Sequence, residues 1–153
     1  MTPRDESRRH HDIDPELAEE IDDHAQTAFG ALKYGPARLA VEEFEWLVEI
    51  WTELAGEYDP HTMVQRAWLA KALVADDRPE QAAVIQRELV AARTAVLGPD
   101  DPMTLAMRGQ LAQTLGRHGD PEAAIELLRP LLADRIRLFG PDHPSVFDTM
   151  GNL

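Results

Sequence analysis

Apolar residues along this chain recur at steps of three and four, the spacing that puts them on one face of a helix. Ala40, Phe44, Leu47, Trp51 and Leu54 form such a stripe, and Gly56 follows as a helix stop. The same reading predicts helices over residues 15–33, 37–54, 60–75, 79–97, 102–116 and 121–139. The starts at Asp14-Pro15, Asp59-Pro60 and Asp101-Pro102 each carry an acid followed by proline. An acidic N-cap accepts bonds from the orphan amides of the first turn, and proline there removes a donor that had no partner. Few positions of 60–75 are polar, so this helix is expected to be covered on several sides. In 121–139, Ala124, Leu128, Leu131 and Leu138 are expected to face inward, with a kink at Pro130. No segment alternates in the manner of a strand.

The pattern itself repeats. Asp59-Pro60-His61-Thr62 returns as Asp101-Pro102-Met103-Thr104 and again as His143-Pro144-Ser145, each time 42 residues on. Pro79-Glu80 returns as Pro121-Glu122, and Leu97-Gly98-Pro99-Asp100 as Phe139-Gly140-Pro141-Asp142. A fixed period of this length means helix pairs that stack on one another. The expected fold is all-α: a right-handed α-solenoid of three antiparallel helix pairs plus a short C-terminal helix, over residues 14–153. Residues 1–13, without apolar periodicity, read as a flexible tail.

The Leu/Phe-Gly-Pro-Asp-x-Pro linkers, the small residues at Ala70/Ala112 and Ala82/Ala124, and the run Gly119-Asp120-Pro121-Glu122-Ala123-Ala124 resemble a tetratricopeptide repeat. The 42-residue period resembles the long variant found in kinesin light chains and many bacterial regulators. The resemblance implies an interaction module in which the first helix of each repeat lines a concave groove for a protein or peptide. The positions it implies are Asp22, Gln26, Phe29 and Lys33; then Val64, Trp68 and Lys71; then Gln110, Gln113 and Arg117; and finally Asp148 and Asn152. Some members clamp a C-terminal carboxylate with Asn. Gln26, Trp68 and Gln110 stand at those sites here, which suits an apolar anchor on the partner better.

Charge adds a direction to this picture. The net charge is −13, and residues 15–59 alone carry −10. Clustered cations for phosphate are missing, so nucleic acid is not the expected partner. An acidic surface favours a basic partner and speeds its approach. No run approaches the roughly 20 apolar residues of a membrane span, and no signal-peptide pattern opens the chain, so the expected compartment is the cytoplasm. With no cysteine, disulfide and zinc–thiolate chemistry are excluded.

No catalytic motif, phosphate-binding loop or cofactor pattern appears, and the expectation is a non-enzymatic protein without cofactor or metal. His10, His11, Asp12 and Asp14 make a poor preorganised metal site in a tail. His24 and His118 read as isolated, and His61 and His143 as linker residues. Trp46 lies off its helix's apolar stripe among Glu42, Glu43, Glu45 and Glu49, so partial exposure is expected. Val146, Phe147, Met150 and Leu153 put an apolar stripe on the short last helix. Either self-association through it or a longer native chain is expected. Three alternatives to an adaptor stay open: a regulatory subunit, a self-associating structural oligomer, and a repeat-scaffold hydrolase using acids such as Glu19, Asp22 and Asp23.

Overall fold

A computed structural model describes residues 13–153; the tail expected over residues 1–13, with His10 and His11, lies almost wholly outside the described residues. Seven helices and no strand occur among the described residues: α1 (Pro15–Tyr34), α2 (Ala37–Ala55), α3 (Pro60–Ala75), α4 (Pro79–Leu97), α5 (Pro102–Arg117), α6 (Pro121–Phe139) and α7 (Pro144–Gly151). The described residues fall into two compact units, one up to Asp77 with α1–α3 and one, Arg78–Leu153, with α4–α7.

The predicted starts hold because the caps form. Asp14 accepts from the Glu16 amide at 3.1 Å, and Asp59 from the His61 amide at 2.8 Å. Asp101 accepts from the Met103 amide, also at 2.8 Å. Each such cap stabilises its helix by about 1 kcal/mol. In α7 the ring of His143 takes over, its Nδ1 accepting from the Ser145 amide at 3.2 Å. The stops recur as well. Gly56, Gly98 and Gly140 end α2, α4 and α6 at φ 96°, 93° and 87°, a region where a side chain would be strained.

In the first unit, Ala40, Val41, Phe44 and Leu47 of α2 are buried, as are Ala28 and Ala31 of α1. Small residues at those α1 positions let the two helices approach closely. In the second unit, Leu105 and Ala112 of α5 meet Leu128 and Leu131 of α6. Fully burying a leucine side chain contributes about 1.5–3 kcal/mol. The crowded apolar sequence of α3 matches its burial: Thr62, Met63, Leu69, Ala70, Ala72 and Leu73 are all shielded.

One inward assignment, Leu138, is corrected, and the last residue of the α2 stripe, Leu54, is exposed in the same way. Leu138 is 36% exposed and Leu54 is 38% exposed. The equivalent residue in the intervening repeat, Val96, is 50% exposed, so this position lies on the helix's last turn beyond the reach of its neighbours. Pro130 sits on the exposed side of α6, which continues through it as one helix. The backbone bond that proline forfeits therefore falls where water replaces it.

Candidate functional site

Within the first unit, three aromatic rings from three helices meet. Phe29 of α1 lies edge-on to Trp68 of α3, with ring centroids 4.9 Å apart at 89°. It is also edge-on to Phe44 of α2, at 5.3 Å and 79°. Phe44 and Trp68 are nearly parallel at 6.2 Å. Edge-to-face geometry sets the positive rim of one ring against the negative face of another. Phe44 is buried, Trp68 is half-buried and Phe29 is 41% exposed. The cluster thus grades from core to solvent, with Phe29 as its outer edge.

Lys71 completes this surface, its Nζ 4.9 Å from the Trp68 ring centroid. Such a contact is worth about 0.5–1 kcal/mol at an exposed site. The helical spacing of Asp22, Gln26, Phe29 and Lys33 sets them along one side of α1, and all four are exposed. Val64 is half-buried on α3, one turn before Trp68. Two of the helices predicted to line a groove, α1 and α3, therefore meet through Phe29 and Trp68, with Lys71 over the indole. Lys33 Nζ lies 4.8 Å over the neighbouring Tyr34 ring.

In the second unit, Gln110, Gln113 and Arg117 are exposed on α5, and Asp148 is exposed on α7. Asn152 donates its Nδ2 to the Asp148 carbonyl at 2.7 Å, capping α7 locally. An open pocket of about 380 Å³ in this unit, between the start of α4 and the end of α5, involves none of the predicted groove residues.

The acidic character of the first unit is solvent-facing. Glu16, Glu19, Glu20, Asp22 and Asp23 of α1 are exposed, as are Glu42, Glu45, Glu49 and Glu53 of α2. Among the acids of α1 and α2, Glu43 is the exception. Its Oε2 bonds Nδ1 of His24, and the His24 ring stacks on Trp46 at 3.9 Å. His24 is therefore not isolated: it ties α1 to α2. Glu43 and Trp46, three residues apart on α2, were the available signal for a shared partner.

Two arginines, one buried and one half-buried, also escaped the sequence reading. Arg93 is 5% exposed and donates Nη1 to the Met103 carbonyl at 3.2 Å. Desolvation pushes its pKa down, opposed by the nearby Asp101. Arg135, 42 residues on, donates Nη1 to the Ser145 carbonyl at 3.0 Å and to Thr149 Oγ1 at 2.6 Å. Its pKa is also lowered by desolvation, against Asp148. The recurrence of arginine at this repeat position was the legible trace.

Among the described residues no group of three or more His, Asp or Glu is placed to hold a metal ion, and no helix is long and apolar enough to cross a membrane.

Residues 63–133 match the family model of the tetratricopeptide repeat. Among solved structures, the chain resembles the kinesin-light-chain-type, nearly identical TPR-like repeats of Podosopora anserina, at a TM-score of 0.74 and 24% identity. The match covers 85% of this chain and 62% of that one. A point variant of the same fungal protein gives the same TM-score and identity, with 61% of its length covered. This chain thus spans about three fifths of the length of those structures. No curated protein matches the sequence.

Proposed function

We propose that this chain, all-α and of the helical-repeat solenoid class, works as tetratricopeptide repeat proteins do, as a non-enzymatic adaptor that holds a partner protein or peptide; the family match over residues 63–133 supports the reading. The observation that carries the reading is the graded aromatic patch: Phe29 exposed, Trp68 half-covered, Lys71 over the indole. A ring pair that is rigid, preorganised and open on one side takes an apolar side chain at little entropic cost. The exposed acids of α1 and α2 favour cations beside that anchor and accelerate encounter. A basic partner segment with one large apolar residue fits both features.

The proposed contact surface of the first unit is Asp22, Gln26, Phe29 and Lys33 with Val64, Trp68 and Lys71; in the second unit, taken by itself, Gln110, Gln113, Arg117 and Asp148 are the proposed contact residues. The test is affinity capture from host extract with wild type and a Trp68→Ala variant in parallel, read by mass spectrometry. Proteins held by wild type and lost with the variant support the reading. Identical sets would refute it. A second reading, self-association through α7, has its own observation in the exposed Phe147 and Met150.

A further inference from the structure

The open pocket of about 380 Å³ in the second unit lies where the second repeat departs from its neighbours in sequence. Ala83 and Val84 of α4 and Leu115 of α5 give it an apolar floor. The residues 42 positions before and after Val84 are Glu42 and Glu126, so the apolar side chain belongs to this repeat alone. Val84 is 52% exposed, and Leu115 is half-buried where its equivalent Leu73 is 2% exposed. At the rim, Gly119 stands where the first repeat has Asp77, and Arg87 where it has Glu45. A volume of this size is at the small end of ligand sites and suits a few side chains.

The pocket has an acidic end and a cationic end. Glu80 and Arg87 lie seven residues apart on one side of α4, about 10.5 Å along its axis. Among the described residues neither side chain has a hydrogen bond or an ion pair. In the first repeat Arg38, the equivalent of Glu80, pairs with Glu42 one turn on at 3.3 Å. Val84 removes that choice here. Helices α4 and α5 run antiparallel, since Arg93 reaches Met103 while Pro79 and His118 border one pocket. Asp120 therefore adds a carboxylate at the Glu80 end, where its Oδ1 accepts from the Ala123 amide at 3.0 Å.

We propose that this pocket binds a short extended segment of another protein, with a cationic side chain at the Glu80 end and a carboxylate at the Arg87 end. An apolar side chain between them covers Val84 and Leu115. In a polyproline-II segment, residues three apart lie on one side about 9.3 Å from each other, close to the Glu80–Arg87 step. The backbone of such a segment stays solvated, so it needs no sheet edge to pair with. Charge complementarity thus selects a bipolar segment, with its basic and acidic residues three apart. This site shares no residue with the Trp68 surface and does not depend on it.

Capped tetrapeptides titrated into the full chain test this. One is arginine–proline–leucine–glutamate, used in both chain orders; the others carry two arginines or two glutamates at the ends. Backbone amide NMR shifts read the binding. In wild type the bipolar peptide should shift the Ala83, Val84 and Leu115 amides and bind roughly threefold or more tighter than either uniform peptide. Arg87→Glu should turn the preference to the two-arginine peptide. Trp68→Ala should leave all the affinities unchanged. Circular dichroism checks that Arg87→Glu, at an exposed position, keeps its helices. Three results would each overturn the proposal. One is no shift at those amides up to roughly 10 mM peptide. Another is tightest wild-type binding of the two-arginine peptide, as general attraction to a chain of net charge −13 would give. The third is an unchanged preference in Arg87→Glu.

Discussion

The guanidinium of Arg93 reaches from α4 to the carbonyl of Met103 in the first turn of α5, at 3.2 Å. Forty-two residues later Arg135 does the same from α6 to Ser145 in α7, at 3.0 Å. In the first repeat the equivalent pair is Trp51 and His61, whose rings stack at 4.5 Å. One position of each second helix thus fastens the opening turn of the next repeat, by a different chemistry in the first than in the later two.

The two arginines are predicted to differ in what they contribute. Arg93 bonds the Met103 carbonyl through Nη1, and its Nε is buried without a partner. Replacing a poorly compensated buried charge by an apolar side chain of similar size is often neutral or better. Arg93→Met should change stability by less than about 1 kcal/mol. Arg135 serves Ser145, Thr149 and, at 3.4 Å, the Leu105 carbonyl, bridging α5 and α7. Arg135→Met should cost roughly 2 kcal/mol and strip hydrogen-exchange protection from α7 first. Urea titration with exchange measurements checks both; equal losses would contradict the assignment.

Asp134 gives the acid limb. Its hydrogen bond to Arg108 holds the carboxyl below the usual aspartate range, and Arg137 adds to the effect. A depressed folded-state pKa means the contribution is fully present above the ordinary value of about 3.9 and disappears as pH falls through the lowered one. The stability gap between wild type and Asp134→Asn should therefore be constant near neutrality and close below about pH 4. Unfolding curves at a series of pH values measure it. A gap that widens with acid would reverse the sign. Because the side chains are partly exposed, the gap should also shrink in high salt.

His24 is predicted to matter for stability. His24→Ala removes the stack on Trp46 and leaves the half-buried Glu43 without that bond. The expected loss is about 1–2 kcal/mol. His24→Phe, which keeps a ring but not the bond, should lie between. Thermal melts of the three proteins decide this, and an unchanged midpoint for the alanine variant would dismiss the tie between α1 and α2.

Helix boundaries were legible because the signals are local. Asp-Pro starts and glycine stops act through a few backbone atoms, and the 42-residue recurrence cross-checked each one. The Phe29–Trp68 meeting was only half legible. Both residues were placed on groove-lining helices, but that they touch, and that Phe44 backs them, depends on how three helices pack. Arg93 and Arg135 were missed because arginine is normally an exposed residue. Leu138 was misassigned because periodicity marks a face without saying how far along the helix its neighbours extend.

The claim that the Trp68 surface holds the partner is tested most directly by equilibrium titration. A captured partner should be titrated calorimetrically into wild type, Trp68→Ala and Phe29→Ala, at low and high salt. The predicted result is at least tenfold weaker binding for both variants, with wild-type affinity falling as salt rises. Unchanged affinity in both variants would contradict it.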